Sequence, residues 1–272
     1  MRVRTGLIQE LARADGDLWT EWMAALHALP GNPFGVRVVD GGEVRLLHVH
    51  GVPKPYYNRI LGLAEEHHYL VDDALAFFSE RRTPCRIDLS PASSGPRLLE
   101  SLNNHGLRPV EFQSNLYADP ASLRMPHLPP GVSVREVRPD ELGFFCGLFE
   151  RAYYGHRAPR VLARFRAASI RARATRPGWR FYLAFVDGVP AGGGTLYLRD
   201  GVATLAGGAT IYTMRGRGCQ KALLLRRMLD AETLGARLVV SRCVAGSVSQ
   251  HNMQKLGLRL AYTKAVWQHP DA

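Results

Sequence analysis

Arg215, Gly216, Arg217, Gly218, Cys219, Gln220 is the stretch that decides how this chain of 272 residues is read. Before it, Val202 to Ile211 is largely apolar and reads as a strand. After it, Lys221 to Leu234 sets Ala222, Leu223, Leu225, Met228, Leu229 and Ala231 near a helical repeat. The six residues therefore form a turn at a helix N-terminus. There the first amides lack intrahelical acceptors and stand at the positive end of the dipole, so they suit an anion without side-chain charge. Glycines at 216 and 218 let the main chain approach phosphate oxygens closely. A P-loop is excluded, because Cys219, Gln220 and Lys221 stand where its lysine and hydroxyl belong. A dinucleotide fingerprint needs three glycines early in a βαβ unit, and this turn has two and comes late. On the loop alone, an Arg/Gly-rich surface turn stays open as the alternative.

Downstream, Ser247 to Leu256 reads as a short helix with a polar start that stops at Gly257, and Leu258 to Trp267 as a strand. Upstream, Phe181 to Val186, the Asp187-Gly188 turn and Ala191 to Leu198 read as a hairpin. Strand, R-x-x-G-x-Q turn, helix, then a helix closed by Leu256-Gly257-Leu258 and a final strand resembles the GNAT N-acetyltransferase superfamily. The usual loop there is Q/R-x-x-G-x-G/A, and Gln220 departs from it in the way of one bacterial subgroup. The run Tyr262, Thr263, Lys264 to Trp267 is similar to the same subgroup. The resemblance implies an α/β (α+β) fold with a mixed, mostly antiparallel sheet flanked by helices. It implies acetyl-CoA as cofactor, its pyrophosphate held by Arg215, Gly216, Arg217, Gly218, Cys219 and Gln220. Thr210, Ile211 and Tyr212 are then expected on the pantetheine arm, with Asn252 and Ser249 near the thiol.

Two short repeats point to duplication. Val39-Asp40-Gly41 recurs as Val186-Asp187-Gly188 and Gly106-Leu107-Arg108 as Gly257-Leu258-Arg259, at offsets of 186 − 39 = 147 and 257 − 106 = 151. A helix, Arg97 to Asn104 or Gln250 to Leu256, precedes each Gly-Leu-Arg. Between them Asp119-Pro120 to Gly131 is rich in residues that end elements. The expected organisation is a tandem: residues 1–125 as a degenerate GNAT-like domain and residues 131–272 as the catalytic one. Between Asp40 and Gly106 no such loop occurs and the best candidate, Asn58 to Gly62, has one glycine, so the first half is expected to bind no cofactor and to serve as structural cover or as a wall of the acceptor cleft.

Hydrophobic residues make up 46% of the chain, enough for buried cores. No apolar stretch approaches the roughly 20 residues of a membrane span, and Met1 to Gly16 has no signal-peptide core, so a cytoplasmic location is expected. Cys85, Cys146, Cys219 and Cys243 form no C-x-x-C pair, so neither metal nor disulfide framework is expected; Cys219 alone falls near the chemistry. The net charge is +11, with Arg151, Arg157, Arg160, Arg164, Arg166, Arg171, Arg173, Arg176 and Arg180 in one segment. A solvated helical face, a guide for an anionic acceptor or for coenzyme A, and a nucleic-acid surface are the three readings. Aromatic residues are sparse there, which weakens the last.

Acyl transfer to an amine needs a proton removed from the amine, donors for the developing oxyanion and a proton for the departing thiolate. The resemblance assigns the second to a strand amide and the third to a tyrosine four residues before Gly257, where this chain has Met253. Tyr262 and Ser249 are the candidate catalytic groups left. No acidic residue lies between Val202 and Thr213, and His251 is a solitary histidine on a short helix, so a water-mediated or substrate-assisted proton path is expected. The expected acceptor is a small-molecule amine or a peptide, an anionic one where the arginines guide it, for a monomer or homodimer. The alternatives are a non-catalytic acyl-CoA sensor and RNA binding through the basic helices.

Overall fold

The computed structural model describes residues 4–52, 54–122, 128–155 and 159–270. Among these the first half runs α1 (Thr5–His27), β1 (Val36–Gly41), β2 (Val44–Val49), β3 (Arg59–Leu61), α2 (Val71–Ser79), β4 (Arg86–Leu89), α3 (Pro96–Asn104) and β5 (Arg108–Ala118). The second runs β6 (Val132–Glu136), α4 (Leu142–Tyr154), α5 (Arg160–Ala174), β7 (Trp179–Val186), β8 (Val189–Arg199), β9 (Val202–Thr210), α6 (Cys219–Thr233), β10 (Leu238–Val244), α7 (Val248–Lys255) and β11 (Arg259–Gln268). From β1 and from β7 onward the two halves repeat one series: hairpin, strand, helix, strand, helix, strand. Gly106 (φ 71°) and Gly257 (φ 94°) end α3 and α7 in the left-handed region, where a Cβ is costly. The Val-Asp-Gly repeat is less regular. In the second copy Asp187-Gly188 is the turn, between Val186 and Val189; in the first, Gly41 pairs with Val44 and the turn is Gly42-Glu43.

The chain divides into two compact units that do not follow sequence halves. The first contains residues 1–115 with 243–246 and 261–272; the second contains 116–242 with 247–260. The stretch read as a linker falls in the second unit's span, with 123–127 outside the described residues.

In the first unit β1 pairs β2, and β2 pairs β3, antiparallel; β3 pairs β4 in parallel; then β11 lies against β4, antiparallel, with Ala265 opposite Leu89 and Trp267 opposite Ile87. The last strand of the sequence thus completes the sheet of the first unit. Ile60, Val71, Phe78, Ile87, Leu98 and Leu102 form its core. Arg59, 1% exposed, is bound to Asp88 at 2.9 Å and lies over the Trp19 ring. The best loop candidate of the first half is therefore a buried structural ion pair.

In the second unit the strand order is β10-β9-β8-β7-β6. All neighbours are antiparallel except β9 and β10, which pair in parallel from Val202–Leu238 to Leu205–Ser241. Side chains of α4 reach β8 at Gly193 and those of α6 reach it at Gly194. Adjacent strand residues face opposite ways, so the two helices cover opposite faces of the sheet.

Candidate functional site

β9 and α6 build the site. The strand does not run straight into the helix as its sequence suggests: a single 3₁₀ turn, Tyr212–Met214, intervenes, and the glycine turn follows it. Gly216 (φ 77°) stands in open space. Gly218 (φ 88°) is the N-cap of α6, and a Cβ there would run into the Pro129 ring. The first amide of the loop is spent, since Arg215 N–H donates to Tyr212 O at 3.2 Å. Among the described residues the N–H groups of Gly216, Arg217, Gly218, Cys219 and Gln220 meet no protein acceptor, and the first bond of the helix runs from Ala222 N to Gly218 O. Successive amides without protein acceptors at a helix N-terminus are the pattern that suits an anion.

Side chains frame it. Arg215 Nε donates to Thr210 O at 3.4 Å, its guanidinium lying 5.3 Å from the ring of Tyr212, which is 79% exposed. Arg217 pairs with Asp187 of the β7–β8 turn at 2.5 Å. Ile211 N–H donates to Ala191 O, so that amide belongs to the sheet. Cys219 is buried, 2% exposed, and burial raises its thiol pKa above the usual value.

Gln220 has a structural role that explains its place in the motif. Its amide nitrogen donates to Ser249 Oγ at 2.9 Å, and its carbonyl oxygen accepts from Asn252 Nδ2 at 2.8 Å. A glycine there could tie neither, so Gln220 pins α7 to α6. Ser247 caps α7 by accepting from Gln250 N–H. Met253, in the place of the expected tyrosine, is buried. Tyr262 is buried on β11 and belongs by residue to the first unit, whereas Ser249 belongs to the second.

The strand itself carries features that its sequence hides. Register shifts between β8 and β9, with Gly194 opposite Gly208 and Thr195 opposite Ala206, leaving Gly207 (φ 52°) as a bulge. Beyond Leu205 the recorded pairing with β10 stops, and Gly207 and Gly208 are exposed. Tyr153 of α4 accepts from Gly208 N–H at 3.3 Å, and Arg227 of α6 lies below the bulge. The glycines at 192–194 and 207–208, of which Gly194 faces Gly208, were the available signal, since glycines inside strands mark bulges and close approaches.

The basic segment is partly committed to structure. Arg166 pairs with Glu150 and lies over Tyr154, Arg180 pairs with Glu136 at 2.8 Å, and Arg173 is buried against Trp179. Arg157 lies outside the described residues. Among the described residues the one group with metal-ligand atoms close together is Glu43, Glu66 and His67, in the first unit. None of the described helices is long and apolar enough to cross a membrane.

No family model and no curated protein sequence matches the chain. Solved structures do. A GCN5-related N-acetyltransferase from Kribbella flavida is 19% identical with a TM-score of 0.61, over 92% of this chain and 95% of that one. A GCN5-related N-acetyltransferase from Sphaerobacter thermophilus is 17% identical with a TM-score of 0.62, over 84% and 80%. A tandem GNAT protein from the clavulanic acid biosynthesis pathway is 17% identical with a TM-score of 0.61, over 92% of each chain. The repeated series, the mostly antiparallel sheet and these likenesses agree: the chain has the GNAT fold in its tandem form.

Proposed function

We propose that the protein is an N-acetyltransferase that takes its acetyl group from acetyl-CoA and passes it to a primary amine, with residues 131–272 carrying the site and residues 1–125 a copy without cofactor. The observation that carries this reading is the row of five open amides from Gly216 to Gln220 at the N-terminus of α6. Those amides would take the pyrophosphate, with Arg215 beside them. The end of β9, Gly207 to Thr210, exposed at its two glycines and half-buried beyond them, would lie along the pantetheine arm. Bound acetyl-CoA would supply an activated thioester. The chain's contribution is to hold the acyl group and the amine together, which can contribute roughly 7–11 kcal/mol toward the barrier. The first unit presents Glu65, Glu66, Asp72 and Asp73 where its own α2 begins, charges that would repel a diphosphate.

The acceptor is proposed to be a small-molecule amine or a peptide. Arg151, Arg160, Arg164 and Arg171, which are not among the ion-paired or buried arginines above, favour one that carries negative charge elsewhere. One observation favours a second reading, an acyl-CoA sensor without turnover: the apolar, buried Met253 leaves the thiol no helical acid.

Titration calorimetry tests both. Native protein is expected to bind coenzyme A, and Gly216→Asp, which places a carboxylate in open space at the seat, is expected to abolish the heat. Unchanged affinity in that variant refutes the loop assignment. Thiol release from acetyl-CoA with any member of an amine panel selects the enzyme over the sensor.

A further inference from the structure

Arg227 is 3% exposed and has no carboxylate partner among the described residues. Its Nη1 donates to three main-chain carbonyls at the bulge, Thr195 O at 2.9 Å, Gly207 O at 3.1 Å and Ala206 O at 3.4 Å, while Nε returns to Leu223 O at 2.9 Å. The Thr195 hydroxyl also donates to Ala206 O. Room for the guanidinium exists because residues 194 and 208 are glycines: a Cβ at 194 would lie 3.0 Å from Arg227 Cζ. Burial lowers the Arg227 pKa to about 10, so it stays charged at neutral pH.

Two consecutive carbonyls, of Ala206 and Gly207, therefore turn toward one buried cation. In a trans peptide the N–H opposes the C=O. The N–H groups of Gly207 and Gly208 are thereby turned the other way, and that of Gly208 reaches the Tyr153 hydroxyl at 3.3 Å. Tyr153 accepts there, and among the described residues nothing takes its own proton. Its ring is 45% exposed and held on Phe149 at 5.0 Å between centroids. Desolvation raises the Tyr153 pKa above the ordinary phenol value, which keeps the proton in place at neutral pH.

We propose that Tyr153 O–H, its oxygen held by Gly208 N–H, is the donor that seats the acyl oxygen, with Tyr153 a catalytic residue and Arg227 the positioning residue that aims the Gly207–Gly208 peptide at the phenol. This rests on the acetyltransferase reading above. The transfer forms one C–N bond and breaks one C–S bond, and the proton shed by nitrogen ends on sulfur. Tyr153 keeps its own proton throughout. The seat answers charge that grows on the acyl oxygen, where donors fixed beforehand act most strongly.

The test is isotope-edited infrared spectroscopy of acetyl-CoA carrying ¹³C at the carbonyl, bound to full-length protein. The expected carbonyl band lies below its position in free acetyl-CoA for native protein, at the free position in Tyr153→Phe, and part of the way back in Arg227→Met. Tyr153→Phe keeps the ring against Phe149, so it remains informative should Arg227→Met fail to fold. Calorimetric affinity for coenzyme A, which has no acyl oxygen, is expected to be the same in native protein and Tyr153→Phe. The acetyl transfer rate is expected to fall about 100-fold in Tyr153→Phe with KM for acetyl-CoA unchanged. A native band at the free position, or an identical band in native protein and Tyr153→Phe, overturns the seat while leaving the acetyltransferase reading intact. Absence of acetyl-CoA binding overturns both.

Discussion

Lys264 Nζ stands 2.5 Å from Asp15 Oδ2, tying the last strand to the first helix across 249 residues of sequence. The same nitrogen lies 2.6 Å from Asp88, which also receives Arg59 at 2.9 Å. Two cations and two carboxylates thus neutralise one another inside the first unit. The neighbouring cations hold the Asp88 carboxyl below its usual pKa against the opposing effect of burial. Lys264→Met leaves two buried carboxylates facing one arginine. Its expected cost is about 3–5 kcal/mol, read as a lower urea midpoint for the first unit.

A second prediction concerns acid. His48 is buried between Phe77, Phe78 and Thr83, and burial with Arg81 nearby lowers its pKa from 6.5 to about 4. Between pH 6.5 and 4 the unfolded chain binds a proton that the folded chain does not, so stability falls as pH drops through that window. The slope it contributes is at most about 1.4 kcal/mol per pH unit. His48→Phe should flatten the pH dependence of the thermal midpoint in that range; an unaltered slope would show that other groups set it.

The two loop glycines should respond unequally to alanine. At Gly216 the added methyl meets nothing, and only the left-handed backbone resists, at about 1–2 kcal/mol. At Gly218 the same strain is joined by collision with Pro129, so the expected loss is about 2–4 kcal/mol. Chemical denaturation of both variants gives the order, and equal losses would contradict the close packing at 218.

Gln220→Ala removes both hydrogen bonds that fasten α7. The expected penalty is about 1–3 kcal/mol, concentrated locally: amide exchange should quicken across Val248–Lys255 while β7–β9 stay protected. Exchange unchanged in α7 would mean that Leu256 and Met253 alone hold the helix.

Much of this was legible in sequence, for identifiable reasons. The glycine turn, the helix after it and the Gly-Leu-Arg strand starts were readable because φ > 0 positions demand glycine and helix stops are local events. Gln220 was read as a departure from the loop pattern; its two bonds to Ser249 and Asn252 arise from a helix pair that no short window contains. Tyr153 and Arg227 escaped for the same reason, since both act on a bulge formed by register between strands. One stands among the few aromatics of the basic segment, the other in the helix after the glycine turn, and neither position marks itself locally. Cys219 was placed near the chemistry by its number, but its side chain takes the buried face of the first turn. The membership of β11 in the first unit was invisible, because each copy taken alone predicts that its last strand stays at home.

That placement has a consequence for biogenesis. A ribosome emits Asp15 and Asp88 long before Lys264, so the first unit waits for residues 261–272 with two carboxylates facing the single cation of Arg59 and one strand position vacant. Closing so distant a contact late is slow. Nascent chains stalled short of Lys264 should be protease-sensitive in the segment that was synthesised first, a reversal of the usual order in which the amino-terminal domain matures ahead of the rest.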